Sequence, residues 1–523
     1  MSVQVVWFKR DLRAVDHAPL ARAAAAGPVL CLYVLEPDFW RQPDAARQHF
    51  HFTLECLRDL YADLKSRGLT LQIRVGSAVQ VLQEIHDSCT ISALHSHEET
   101  GNGWTYQRDR SVGAWCKDQG VDWHETPQFG VVRRLKSRAL WQAAWNALME
   151  QALIPSVRAG DASDAMPNWR QPRLPSADEL ELAEHEPASR QRGGRTEAMA
   201  VLADFLNDRS RRYRGGISSP ITAPEACSRL SPYLAMGCVS MREVVQSTRA
   251  QAQDATLNTH QRKGLHAFTS RLYWHCHFIQ KLESEPAIEW RNMHRGYDGL
   301  REPEFNPAHF EALQAGRTGW PLVDACVHML HATGWLNFRM RAMLVSVAAY
   351  PLWLHWRPVG EWLAREFLDY EPGIHWSQLQ MQSGTTGINT TRVYNPIKQA
   401  QDHDPQGHFV RRWIPAMRRV PDTWLFEPWR MPASVQAQCG VVVGRDIPMP
   451  IVDLDAATKV SKQRLHARRQ QPEVKAANSG VVTTHASRRA KPKRTSRLSR
   501  PAGDPTGRQQ ALGAMQQCSL LDD

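Results

Sequence analysis

No C-x-x-C pair occurs in the 523 residues although ten cysteines are present, a spacing that excludes a zinc ribbon and a regular disulfide framework. The cysteines are expected to be reduced, mostly buried thiols. No G-x-G-x-x-G follows the first apolar run, which removes the ordinary dinucleotide fingerprint. The amino-terminal "MSVQVVWFKRDLR" lacks the charged-then-apolar pattern of a secretory signal, and no apolar run approaches the roughly 18 residues of a membrane span. No membrane contact and a cytoplasmic location are therefore expected, and a monomer is the default. Tyrosine is scarce: 10 Tyr and 14 Phe stand against 19 Trp, an inverted order that raises a role for indole beyond packing.

The net charge of +11 belongs to one end. Between Lys459 and Arg508 fourteen Lys or Arg face only Glu473 and Asp504, so the rest of the chain is close to neutral. Beyond about 453 large apolar residues are few, and a disordered basic tail is expected over 453–523. Such a polycation adds nonspecific, salt-dependent contacts to nucleic acid, or contacts to protein.

The first 130 residues alternate short apolar runs (3–8, 28–35, 69–75, 91–97 and 121–127) with amphipathic segments such as 45–66 and 103–119. That rhythm predicts an α/β domain over 1–130, a parallel five-stranded sheet of Rossmann-like type covered by helices on both faces. A connector over 131–195 follows, rich in Pro, Glu and Arg from about 155. From 196 to 452 helical periodicity dominates, in segments such as "TEAMAVLADFLNDRSRRY" and "VGEWLAREFLDY", so the second domain is expected to be all-α.

Several stretches of this second half carry chemistry. In "ACSRLSPYLAMG" (226–237) the Ser231-Pro232 step reads as an N-cap with proline in the first helical turn, and Ser228, Arg229 and Ser231 offer a phosphate cradle. A plain cap fits the same residues. In "GWLNFRMR" Arg339 and Arg341 point in different directions on a helix, with Asp369 and Glu371 as candidate anionic partners. Exposed ion pairs would account for them equally. "RLYWHCHF" sets Trp274 beside Arg271 and His275; the adjacent His275, Cys276 and His277 splay on a helix and have no second ligand pair, so no metal is expected. Finally, "LWLHWRPVGEWLAREFLDYEPGIHW" (352–376) holds four tryptophans, at 353, 356, 362 and 376.

Taken in order, "VVWFKRDLRAVDHAPL", "SRLSPYLAMGCVS", "RTGWPLVDACVHMLHATGWLNFRMRAML", the Asp369-Tyr370-Glu371 stretch and "YNPIKQAQDHDPQGHFVRRWIPAM" resemble the cryptochrome/photolyase family over roughly residues 1–430. The resemblance implies an amino-terminal α/β domain, a helical FAD-binding domain and a second, antenna chromophore of unknown identity. It implies that Tyr213, Ser228, Arg229, Leu230 and Ser231 surround the FAD phosphates and ribityl chain. Asp369, Tyr370 and Glu371 would lie against the ring system, with Arg341 paired to Asp369, and Trp274 and Arg339, with Arg271 and His275 beside them, would face a pyrimidine dimer in DNA. Light-driven electron transfer would run through Trp376 and Trp356 to an outer tryptophan, either Trp353, one helical turn before Trp356, or Trp362 beyond a break at Pro358.

By that resemblance the chain is a blue-light-driven photolyase that splits pyrimidine dimers, the alternative being a photoreceptor without repair. It departs from the family pattern in four places: Arg271 replaces an acid, the segment from Glu371 to Trp376 is short, Pro372 and Gly373 occupy the place of an asparagine near the flavin ring, and Gln107 replaces an acidic folate contact.

Overall fold

The computed structural model describes residues 2–158, 169, 171–388 and 392–485. Five runs form one parallel sheet: β1 (Ser2–Phe8), β2 (Val29–Leu35), β3 (Leu71–Val75), β4 (Thr90–His97) and β5 (Asp122–Thr126), in the order β3-β2-β1-β4-β5. The helices α1 (Ala18–Ala26), α2 (Arg47–Ser66), α3 (Ala78–Ser88) and α4 (Gly103–Gln119) supply the crossovers. Apolar continuity in the strands has a direct cause. Val6 and Phe8 of β1, with Cys31, Tyr33 and Leu35 of β2, enter one core, while Val3, Val5, Trp7, Leu30, Leu32 and Val34 enter another on the opposite face. Both faces are covered, so alternation with polar residues is absent.

The first of these cores is shared with the second half, since Tyr213, Leu230, Leu234, Leu265 and Phe268 belong to it. Strand order reverses at β1, which places the residues after it, Lys9 to His17, in the crevice outside the carboxyl ends of the strands. There the chain interlocks with residues 235–242: Leu12 N–H donates to Met236 O, and Arg13 Nη1 to Gly237 O. Gly237 has φ +63, and a side chain there would collide with the Arg10 carbonyl. Only glycine permits this approach.

The second half is helical, and among the described residues its only β feature is an isolated bridge between Val443 and Ile447. The helices that build the site are α5 (Ser231–Ala235), α6 (Thr259–Ser284), α7 (Pro321–Thr333), α8 (Phe338–Ala349), α9 (Trp356–Glu366) and α10 (Pro372–Ser383). Trp356, Val359, Gly360 and Leu363 are buried at i, i+3, i+4 and i+7 on α9, the spacing of one apolar face.

One expectation, the disordered tail, needs correction, and the connector gains a detail. The connector contains a helix, Trp141–Glu150, buried through Trp141, Trp145 and Met149. The tail is not disordered over its first part, because α11 (Leu454–Gln470) and α12 (Pro472–His485) pack on the helical half. Leu465 and Val474 are buried, Ser461 Oγ donates to Tyr350 O, Arg468 donates to the carbonyls of Gly296 and Asp298, and His485 bonds Glu285 at 2.7 Å. Residues 486–523 lie outside the described residues. Among the described residues no helix is long and apolar enough to cross a membrane.

Candidate functional site

A cavity of about 350 Å³ opens between α6, α8, α10 and the segment around α5, within the range of roughly 300–1,000 Å³ usual for ligand pockets. Its inner wall carries two carboxylates, each held by an arginine. Arg341 donates through Nη1 and Nη2 to the two oxygens of Asp369 at 2.9 and 3.0 Å. Burial alone would raise the Asp369 pKa, but Arg341 and the Ser231 hydroxyl pull it below the ordinary carboxylate range. Glu371 is bound from the other domain, accepting from Arg10 Nη2 at 2.8 Å, while Arg10 Nε donates to Ala235 O. Burial pushes the Glu371 carboxyl up to about 7 against the opposing charge of Arg10.

At the side of the cavity nearest α5 stands Arg229. Its backbone has φ +59, its guanidinium stacks on Trp335 with the centroid 4.0 Å away, and its Nε donates to Gln191. No carboxylate lies within salt-bridge distance of it among the described residues, and burial pushes its pKa down to about 10. Ser228 and Ser231 line the wall beside it. The expected helix cap differs in detail: Leu230 occupies the cap position, Ser231 is the first helical residue, and its hydroxyl goes to Asp369. Leu230 itself faces the core shared with the sheet, not the cavity.

Arg271, Trp274, His275 and Arg339 also line the cavity. Trp274 is half-buried, its ring 4.8 Å from His277 and 5.8 Å from Phe278. Arg271 bonds Tyr213, a buried wall residue. Buried polar atoms on the wall without a protein partner include His275 Nδ1, Asn337 Oδ1 and Gln378 Oε1. Orphaned buried polar groups in a cavity are where a polar ligand completes the bonding. An unneutralised guanidinium suits a pyrophosphate, and the amide, imidazole and ion-paired acids suit the polar edge of a flavin ring. The residues present fit FAD.

The tryptophans lie behind this wall. Trp376 and Trp356 are each 1 % exposed and meet edge-on, with centroids 5.9 Å apart. Gly360 permits the approach, because a side chain there would meet the Trp376 ring. Trp376 does not line the cavity, whereas its neighbours His375 and Leu379 do. Pro358 sits in the first turn of α9 and makes no break, since the lost N–H has no helical partner there. Trp353 is not on that helix but in the turn before it, at φ +53.

Sequence reasoning used "FKRDLR" as a family mark but gave Arg10 no role. Its position just after the central strand, at the switch point, was the available signal. Beside the same loop lies the only cluster of metal-ligating composition among the described residues, Asp11 and His17 of the loop with His97 at the end of β4. His17 Nδ1 accepts from Leu20 N–H, so the proton of the neutral ring sits on Nε2 and is donated to Asp11 at 2.9 Å. His97 Nδ1 meets the same oxygen at 2.7 Å. This is a hydrogen-bonded network in which the Nδ1 lone pair of His17 is already committed to the Leu20 N–H. His277 Nδ1 likewise takes a bond from Arg138.

A parallel α/β half locked onto a helical half with such a cavity defines a class, and comparison identifies it. Residues 4–133 match the family model described as DNA photolyase, and 268–467 match the FAD binding domain of DNA photolyase. A cryptochrome DASH of Gloeobacter violaceus is 27% identical over 481 residues, 86% of this chain and 93% of that protein. A deoxyribodipyrimidine photo-lyase of Streptomyces griseus is 28% identical over 484 residues, 87% of this chain and 98% of its own length. The crystal structure of a bacterial class III photolyase from Agrobacterium tumefaciens superposes with a TM-score of 0.77 at 22% identity, covering 90% of this chain and 98% of that one. The chain belongs to the cryptochrome/photolyase family and carries its FAD-binding domain.

Proposed function

We propose that this chain is a blue-light-driven DNA photolyase that holds FAD in the cavity and splits pyrimidine dimers. When bound, FAD supplies the light absorption and the one-electron exchange. Arg229, Ser228 and Tyr213 would hold the pyrophosphate and ribityl chain, and the Arg341–Asp369 pair with Tyr370 and Glu371 would face the ring. Asp369 stays ionised beside Arg341, while Glu371, poised near neutrality, can keep a proton on the oxygen that Arg10 does not engage. Trp274 offers a half-buried aromatic face for a base flipped from the duplex, with Arg271, His275 and Arg339 beside it for polar and phosphate contacts. Trp376 and Trp356 would relay charge outward in the direction of Trp353.

The observation that carries the repair reading is the open cavity mouth. Among the described residues none beyond Gln382 lines the cavity, so α11 and α12 leave it free for DNA. For a second chromophore, the enclosed space beside Trp7 and Trp40, about 90 Å³, is too small, whereas a groove of about 690 Å³ between residues 99–138 and 280–289 has the room. The test is to illuminate reduced, FAD-loaded protein with oligothymidylate bearing dimers and follow recovery of thymine absorbance. Recovery is expected. No recovery with either lesion type, while the flavin still photoreduces, would move the reading to a blue-light photoreceptor, which the docked helices α11 and α12 favour.

A further inference from the structure

Trp353 lies between two guanidiniums. Arg301 Cζ is 4.6 Å and Arg464 Cζ 5.2 Å from its ring centroid. Arg301 is 1 % exposed and its guanidinium donates to the backbone oxygens of Ala349 and Ser383, with no carboxylate in salt-bridge distance of it among the described residues. Arg464 reaches the ring from α11 and pairs with Glu304 at 2.6 Å. Trp353 adopts φ +53, an outlier for a bulky side chain, and its Nε1–H is buried without an acceptor. Trp356 differs on each count: its Nε1–H donates to Asn292 Oδ1 at 2.8 Å, and among the described residues no cation sits over its ring.

We propose that Arg301 and Arg464 make Trp353 an electrostatic stop, so that positive charge leaving the flavin site halts on Trp356 while α11 is docked and advances to Trp353 only when the Arg464 charge is removed. This rests on the tryptophan relay of the proposed function. When bound, FAD would supply a light-activated one-electron acceptor; one electron would leave Trp376 and one from Trp356 would refill it, so that the positive charge would reside on Trp356. No proton moves. The next step would take one electron from Trp353. A neutral indole attracts a cation over its face, and an oxidised indole repels it, so both guanidiniums oppose that step. Losing the indole proton would relieve the charge, but Nε1–H has no acceptor. Arg464 is therefore a positioning residue, and α11 a tunable cap on the outer end of the relay.

The test uses the full chain. In FAD-loaded protein after a laser flash, Arg464→Gln should lengthen the lifetime of the tryptophan radical roughly two- to fivefold, the ratio expected for loss of one partly exposed cation–π contact. Arg464→Lys should behave as wild type, and Trp353→Phe added to Arg464→Gln should cancel the gain. Arg464 is largely solvent-facing, and Ser461, Leu465 and Arg468 keep α11 docked, so folding is not at risk. An unchanged lifetime in Arg464→Gln, or a gain that persists in the double variant, overturns the proposal. A second readout needs neither flavin nor light: azide radicals as one-electron oxidant, with peptide mapping of oxidised tryptophan. Trp353 should be spared in wild type and Arg464→Lys and oxidised in Arg464→Gln; equal oxidation in all three overturns the electrostatic stop. If Trp376→Phe leaves photoreduction intact the relay reading fails, and the azide comparison alone then decides the role of Arg464.

Discussion

Two buried polar regions of this molecule contrast sharply. At the strand ends, Asp11 takes bonds from His17, His97 and the Lys9 N–H, while Asp16 is held by Arg242, Ser240 and the Ile154 N–H. The chain geometry around both aspartates is fixed by groups that answer one another. In the cavity the opposite holds: Arg229 lacks a carboxylate, and His275 Nδ1 and Gln378 Oε1 lack any partner. Unanswered buried atoms occur elsewhere too, Arg13 Nε of this loop among them, and what sets the cavity apart is that its unanswered atoms border open space that a ligand can fill. Arg10 joins the two, leaving the saturated loop to grip Glu371 on the cavity wall.

The largest expected effect lies in the saturated region. Asp11→Leu strips two buried imidazoles and a backbone N–H of their common acceptor, and should cost about 3–5 kcal/mol of stability in urea unfolding. A loss below about 1 kcal/mol would break the contrast, because the network would then be replaceable. Flavin affinity of the folded fraction should change little, since Asp11 does not line the cavity.

The incomplete region should respond the other way round. Arg229→Gln should leave apoprotein stability within about 1 kcal/mol of wild type, because the change removes a buried charge that has no carboxylate within salt-bridge distance among the described residues. FAD binding should weaken by roughly 10- to 100-fold, the equivalent of one charge-assisted hydrogen bond. Fluorescence titration of apoprotein with FAD measures the second, and urea unfolding the first. Equal losses in both would make Arg229 part of the scaffold.

The contrast was only partly legible in the sequence. The strands announced themselves because burial on both faces demands continuous apolar runs, and the helical half because Trp356, Val359, Gly360 and Leu363 keep a strict spacing. The Arg10–Glu371 bond was invisible, since 361 residues separate partners that meet only through the packing of two domains. The helices α11 and α12 were missed for a different reason. Their charge was read as solvation, yet a helix rich in Ala, Lys, Gln and Arg needs few anchors, and Leu465 and Val474 with a handful of bonds to backbone carbonyls suffice. The end of the Trp relay was hidden likewise, because Arg301 and Arg464 reach Trp353 from distant segments.

The smallest expected effect sharpens the contrast at the residue that bridges the regions. Glu371 has its carboxyl raised to about 7 in the folded chain, above the ordinary value of 4.5, by burial that Arg10 only partly offsets. Between those two pH values the unfolded chain has released this proton and the folded chain still holds it, so the folded state binds more protons and its stability falls as pH rises. Glu371→Gln cannot titrate. Relative to wild type, the variant should therefore gain stability progressively from about pH 4.5 to 7, and the difference should level off above that. Urea midpoints of both proteins measured across that window give the answer directly. A flat difference would mean that Arg10 already holds Glu371 ionised at pH 5, which would place this carboxylate with the saturated scaffold instead of the cavity.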